Sequence, residues 1–216
     1  MSSPGSASAP TLVFIGDSIT EAGRDRSNPD DVGHGWVRFV ATALADAAVP
    51  PQVVNRGIGG NRVSDLGPRW SADCIDLAPA LVTVQIGVND TWRRYDGGEV
   101  SEIVGFTDAY RELLERVRDD TDAGLVLVEP FFLPMGSITE EWHEDLDPRV
   151  DAVGALAERF GARCVPLSAV LTAAGERAGS AIWTTDGVHP TAAGHALIAA
   201  EWLAATAYAE PATPAG

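Results

Sequence analysis

Residues 11–20 read TLVFIGDSIT. After Thr11, Leu12–Ile15 is a run of four apolar residues rather than an alternation, so TLVFI predicts a strand buried on both faces. A strand of that kind belongs to a parallel sheet covered by helices above and below. The run stops at Gly16, and the polar pair Asp17–Ser18 follows. Ser18 has two readings there. It caps the next helix, or it presents a hydroxyl to a substrate at the end of a strand.

The same grammar repeats along the chain. PPQVVN (50–55), LVTVQIG (81–87), LVLVEP (125–130) and CVPL (164–167) supply four further short strands. Between them apolar residues recur at helical spacing. Trp36, Phe39, Val40, Ala43, Leu44 and Ala47 form one stripe over 36–47, and Phe106, Tyr110, Leu113, Leu114 and Val117 form another over 100–119. Helices are also expected over 149–161 and 191–208, the last opened by Pro190 in its first turn. Strands alternating with helices predict one α/β domain over 11–208, with a lead-in at 1–10 and a tail at 209–216. Most of the glycine-rich or long connections, 16–34, 56–75, 88–98, 131–148 and 180–190, follow strand C-termini, where open parallel sheets bind ligands.

Composition narrows the chemistry. The chain has 216 residues, 45% of them hydrophobic, and a net charge of −16. That charge argues against a basic face for nucleic acid or an anionic membrane. All 15 basic residues are arginine, so Schiff-base chemistry, a lysine-anchored cofactor and a P-loop lysine are excluded. Cys74 and Cys164 give no disulfide framework and no metal set, and are expected to pack as small hydrophobes. With no basic region or apolar core at the N-terminus and no apolar run of membrane-spanning length, a cytoplasmic location is the expectation. His195 follows His189 by six residues, which is not zinc-ligand spacing, and His34 and His143 have no companion ligands; no metal is expected.

Four strand-end segments carry reactive residue types: GDSIT (16–20), NRGIGGNRVSDL (55–66), IGVND (86–90) and DGVHP (186–190). Each alone is an ordinary turn or cap. Together they hold every part that acyl transfer needs. Ser18 is a nucleophile once a base takes its proton. His189 is the residue type suited to that task near neutral pH. Asp186, three residues earlier, is placed to hold the other ring nitrogen. The Ser18 N–H, the Gly60 N–H and the Asn89 side-chain amide are candidate donors to the oxyanion of the tetrahedral intermediate. The surroundings of Ser18 are not the G-x-S-x-G of a nucleophile elbow.

In this order and at these strand ends, the four segments resemble blocks I, II, III and V of the SGNH (GDSL) hydrolases. The resemblance runs over residues 11–205. It implies a three-layer α/β/α flavodoxin-like fold with a five-stranded parallel sheet and no metal or organic cofactor. It also assigns Ser18 as the nucleophile, Asp186 and His189 as the rest of the triad, and Gly60 and Asn89 as oxyanion residues. FIGDSITEAGRDR, GHGWVRFV, VVNRGIGGNRVSDL, IGVNDTWRRYD and DGVHPTAAGHALIA are similar to the branch that contains intracellular acetylxylan esterases. That similarity implies a small ester substrate, an acetylated xylo-oligosaccharide above all, and self-association into a homo-oligomer. Trp36 stands where that branch has tyrosine, and Gly59 where serine is usual.

Trp92, Tyr95 and Trp183 flank these segments and offer flat apolar rings to the faces of a sugar. Arg56, Arg62, Arg93 and Arg94 lie in the same loops, where pairing with nearby acids is the expected role for most, and Asp17 is expected to hold the turn beside Ser18. Within the esterase class, lysophospholipase, thioesterase and arylesterase activity are the alternatives. Outside it stands a binding module: a sugar-binding relative without activity, or a nucleotide binder reading GIGGNR, whose Arg62 breaks the dinucleotide fingerprint.

Overall fold

The computed structural model of the chain describes residues 9–206. The first half runs β1 (Thr11–Gly16), α1 (Ser18–Glu21), α2 (Trp36–Leu44), β2 (Gln52–Gly57), α3 (Val63–Leu66), α4 (Trp70–Asp73), β3 (Leu81–Gln85) and α5 (Val88–Asp96). The second half runs α6 (Ile103–Asp120), β4 (Gly124–Val128), α7 (His143–Phe160), β5 (Arg163–Val165), α8 (Leu167–Ala178), α9 (Ser180–Trp183) and α10 (Ala192–Thr206). The five strands form one sheet in the order β2-β1-β3-β4-β5, and every pairing is parallel. The chain order reverses between β1 and β3, which is the switch point where doubly wound sheets open a crevice at their strand C-termini.

Side chains of successive strand residues point to opposite faces. Leu12 and Phe14 of β1 face a core shared with α2, α8 and α10, whereas Val13 and Ile15 face one shared with α3, α4, α6 and α7. The predicted three layers are therefore present. Phe14 anchors the first core, with the Trp36 and Trp202 rings each 5.2 Å from its own. Trp202 also donates its indole N–H to Thr83 Oγ1 at 3.1 Å, which satisfies a polar group in the buried sheet.

Several expected boundaries shift for identifiable reasons. The helix expected from 149 begins at His143 and runs through Pro148. Proline disfavours the helical conformation in the residue before it and reads as a boundary. As the sixth helical residue it forfeits the bond to the Glu144 carbonyl, and the i,i+4 pairs His143–Asp147 and Asp145–Arg149 span that point. β5 ends at Val165, so Leu167 opens α8 instead of extending the strand. Pro190 does not open the last helix: Thr191 Oγ1 accepts the Gly194 N–H at 3.2 Å and caps it. On α2, Phe39 leaves the buried stripe and is 41% exposed, with Val37 in its place. The residues expected as a tail, 209–216, and all but the last two of the lead-in lie outside the described residues.

Candidate active site

The turn after β1 settles which residue caps α1. Asp17 is the cap: its Oδ1 accepts the Ile19 N–H at 2.9 Å. Ser18 is then the first helical residue, and its hydroxyl is left to another partner. That partner is His189 Nε2, 2.9 Å from Ser18 Oγ. Across the ring, His189 Nδ1 lies 2.6 Å from Asp186 Oδ2. An ionised carboxylate there accepts the Nδ1 proton, which leaves Nε2 as acceptor for the serine O–H.

The Asp186–His189 turn is built to hold this geometry. Asp186 Oδ1 accepts the backbone N–H groups of Val188 and His189 at 2.9 and 2.8 Å. Burial raises the Asp186 carboxyl, but these hydrogen bonds and the His189 ring outweigh it and hold its pKa below the usual carboxylate value. The Thr185 N–H closes the turn on the His189 carbonyl at 2.8 Å. Gly187 has φ +98°, and a Cβ there would lie 2.5 Å from the Leu133 carbonyl oxygen, so the turn needs glycine.

The glycine loop after β2 packs directly on the serine turn. The Ile58 N–H donates to the Gly16 carbonyl at 3.0 Å, and the Gly59 N–H donates to Glu21 Oε2 at 2.9 Å. At Gly57 a Cβ would fall 2.2 Å from the Glu21 backbone nitrogen, so β2 touches α1 without room for a side chain. Gly60 takes φ +80°. From β3, Gly87 leads into α5, whose second residue is Asn89. The Asn89 amide donates one N–H to the Asn61 carbonyl at 3.0 Å. A carboxamide has two N–H groups, so this bond orients the group and leaves the second donor for a ligand.

The structure thus gathers Ser18, Asp186 and His189, and ties Asn89 to the loop that carries Gly60. It also brings Trp92 in, with its ring 5.8 Å from that of His189. Tyr95 stands one layer back. It stacks on Trp142 at 5.2 Å, and Trp142 in turn meets Trp92 edge-on at 5.6 Å. Trp142 has the signature of a core residue only, and nothing in the sequence marks it as part of this wall. Trp183 packs on the core beside α10, and among the described residues its ring makes no aromatic contact with His189. Its carbonyl accepts the Thr191 N–H at 2.9 Å, which helps close the Asp186–His189 loop.

The loop arginines take carboxylates: Arg56 with Asp73, Arg62 with Glu99, Arg93 with Asp96 and Arg94 with Asp145. His195 is half-buried, and its Nδ1 accepts the Trp36 N–H at the start of α2, at 3.2 Å. Burial, and secondarily the neighbouring His189 charge, push its pKa down to about 4, so it stays neutral. His143 has partners the sequence did not advertise, Asp147 at 2.8 Å and Glu140 at 3.3 Å. Both cysteines are free, and Cys164 is only half-buried. Burial pushes the Cys74 thiol up to about 12 and that of Cys164 up to about 11, so neither offers a thiolate near neutral pH. Among the described residues no three His, Cys, Asp or Glu side chains cluster as a metal set, and no helix is long and apolar enough to cross a membrane.

Comparison with known proteins gives this arrangement a family. The model of the GDSL-like lipase/acylhydrolase family matches residues 14–197. The chain is 34% identical over 202 residues to an acetylxylan esterase of Geobacillus stearothermophilus, covering 89% of this chain and 91% of that protein. Among solved structures, Axe2, an acetylxylan esterase of the same organism, superposes with a TM-score of 0.85 at 29% identity, covering 95% of this chain and 98% of Axe2. Solved catalytic mutants of Axe2 replace one aspartate or one serine with alanine. LAE5, an α/β hydrolase enzyme from the metagenome of Lake Arreo in Spain, superposes with a TM-score of 0.85 at 31% identity, covering 93% of this chain and 96% of its own. The family match takes in Ser18, Gly60, Asn89, Asp186 and His189, and the chain belongs to the GDSL-like lipase/acylhydrolase family.

Proposed function

We propose that the chain is a serine esterase that removes short acyl groups, acetyl foremost, from carbohydrate hydroxyls. The observation that carries this is the unbroken line from Ser18 Oγ through the His189 ring to Asp186, at 2.9 and 2.6 Å. Ser18 Oγ attacks the ester carbonyl carbon while its proton passes to His189 Nε2. The imidazolium is held by Asp186, whose lowered pKa keeps it ionised as the charge develops. The carbonyl oxygen becomes an oxyanion facing the N–H groups of Ser18 and Gly60 and the second N–H of Asn89. Collapse expels the sugar alkoxide, which takes the proton from His189 and leaves an acyl-Ser18 ester. Water then attacks that ester with His189 again as base, and the carboxylic acid and free Ser18 are released.

The sugar assignment rests on different support. The acetylxylan esterase relatives match nearly the whole chain. The wall beside His189 is aromatic, made by Trp92 backed by Trp142 and Tyr95. Flat rings suit the C–H faces of a pyranose, whereas a long acyl chain needs an aliphatic groove. The test is acetate release from acetylated xylo-oligosaccharides, beside hydrolysis of p-nitrophenyl acetate and octanoate. Rapid release from the sugar and a steep fall from acetyl to octanoyl are expected. Preference for octanoate, with no release from the sugar, would move the chain to the lysophospholipase or thioesterase side of the family.

A further inference from the structure

One guanidinium outside the triad touches the parts of the site that must stay in register. Arg69 ends the short turn Gly67–Arg69 between α3 and α4, and its side chain is 16% exposed. Its Nε donates to Asn61 Oδ1 at 3.0 Å. Its Nη1 donates to the Arg56 carbonyl at 2.8 Å and to Asp73 Oδ2 at 2.7 Å. Its Nη2 donates to the Gly16 carbonyl at 3.2 Å.

These acceptors are not a random set. Gly16 is the last residue of β1, two before Ser18. Arg56 sits near the end of β2, immediately before the glycine loop. Asn61 follows Gly60, and its own carbonyl receives the Asn89 amide. Asp73 balances the charge, so the guanidinium does not sit in the partly buried site as an unpaired cation.

We propose that Arg69 is the positioning residue that sets the nucleophile turn against both arms of the oxyanion site, a proposal that rests on the serine-esterase reading. It reaches Ser18 through Gly16, the Gly60 loop through Arg56 and Asn61, and Asn89 through Asn61. The task needs a planar fork. Five N–H donors in fixed directions serve four acceptors on separate segments, whereas a lysine ammonium on a thinner stem cannot span them. The consequence belongs to the transition state. Oxyanion donors act only where the developing charge will lie, and a displacement near 1 Å is costly.

The experiment compares wild type, Arg69→Lys, Arg69→Ala, Ser18→Ala and Arg118→Lys, an exposed control, with p-nitrophenyl acetate as substrate. Rates are expressed per serine titrated to completion with a fluorophosphonate, which removes unfolded protein from the comparison. For Arg69→Lys, kcat is expected to fall about 10- to 100-fold while KM moves by less than about threefold. Guanidinium added to Arg69→Ala restores part of the lost kcat, and Arg118→Lys behaves as wild type. Wild-type kcat per titrated serine in both Arg69 variants overturns the proposal, whatever their melting temperatures. A loss shared equally by Arg118→Lys also overturns it. Turnover that survives in Ser18→Ala overturns the esterase reading itself and is recognised independently of Arg69.

Discussion

Asp17 shows how much a single side chain beside the nucleophile is asked to do. It is fully buried, caps α1 through Oδ1, and has no hydrogen-bond partner for Oδ2 among the described residues. Burial, and after it the charge of Asp90, outweigh the Ile19 N–H and push its pKa up to about 7. The sign follows from linkage. Below the unfolded value of 3.8 the group is protonated in both states; as pH rises toward 7 the folded state still holds a proton that the unfolded chain has lost, so stability falls across that window. Asp17→Asn keeps an acceptor for Ile19 and removes the titration. Its stability relative to wild type is expected to rise from pH 4 to 8 by an amount on the order of a few kcal/mol, read from urea unfolding. A difference that is flat with pH would contradict the account. At Asn89 the loss expected from the proposed mechanism is kinetic: Asn89→Ala, which takes away the side-chain donor assigned there to the oxyanion, should lower kcat by about 10²–10³ with folding intact. A kcat within twofold of wild type, an on-the-order bound for no role, would remove Asn89 from the oxyanion site. Ser18 and Asn89 were singled out in the sequence because each follows a strand end, as β1 and β3 show; Asp186 and His189 were singled out by residue type and spacing, and their segment follows α9 rather than the strand end expected of it. The hydrogen bonds of Arg69 and Asn61 were not legible, because they depend on side-chain direction, and an arginine among 15 carries no mark of what its fork faces.

Elements were legible where they bury a stripe. α6 shows its buried positions at 106, 110, 113, 114 and 117, and the periodicity locates the helix, although it starts at Ile103 rather than at 100. α5 shows no such stripe. Its buried residues are the four consecutive Val88–Thr91 at its N-terminus, so the segment reads as a polar loop although it is a helix. α8 was missed for another reason. Leu167, Leu171 and Ala174 do repeat at helical spacing, but Pro166 and the alanines around them blur the start. The start of α10 depends on side-chain hydrogen bonds that periodicity does not reveal. Thr191 Oγ1 accepts from Gly194 and donates to the Ile182 carbonyl at 2.6 Å, joining α9 to α10 just past His189. Thr191→Ala should cost about 1 kcal/mol in urea unfolding. An unchanged midpoint would show that this end is held by the Asp186–His189 turn alone.

At the scale of the whole molecule, the alternation of strands and helices fixes a parallel sheet, but not which strands lie side by side. The order β2-β1-β3-β4-β5 was not read from the sequence, because neighbours are decided by how crossovers pack on the sheet. That order has the functional consequence. It makes β1 and β3 adjacent, so Ser18 and Asn89 emerge side by side at the switch point, and β2 delivers the glycine loop to the same edge. The net charge of −16 acts on the molecule as a whole. Self-repulsion is screened by salt, so the melting temperature is expected to rise by a few degrees from low salt to about 0.3 M NaCl, and a fall would contradict it. The central claim is that Ser18 is the nucleophile, and intact-mass spectrometry after reaction with a fluorophosphonate tests it most directly. A single adduct mapped to Ser18 and absent from folded Ser18→Ala is the predicted result; no adduct on folded wild type, or one that persists in Ser18→Ala, would contradict it.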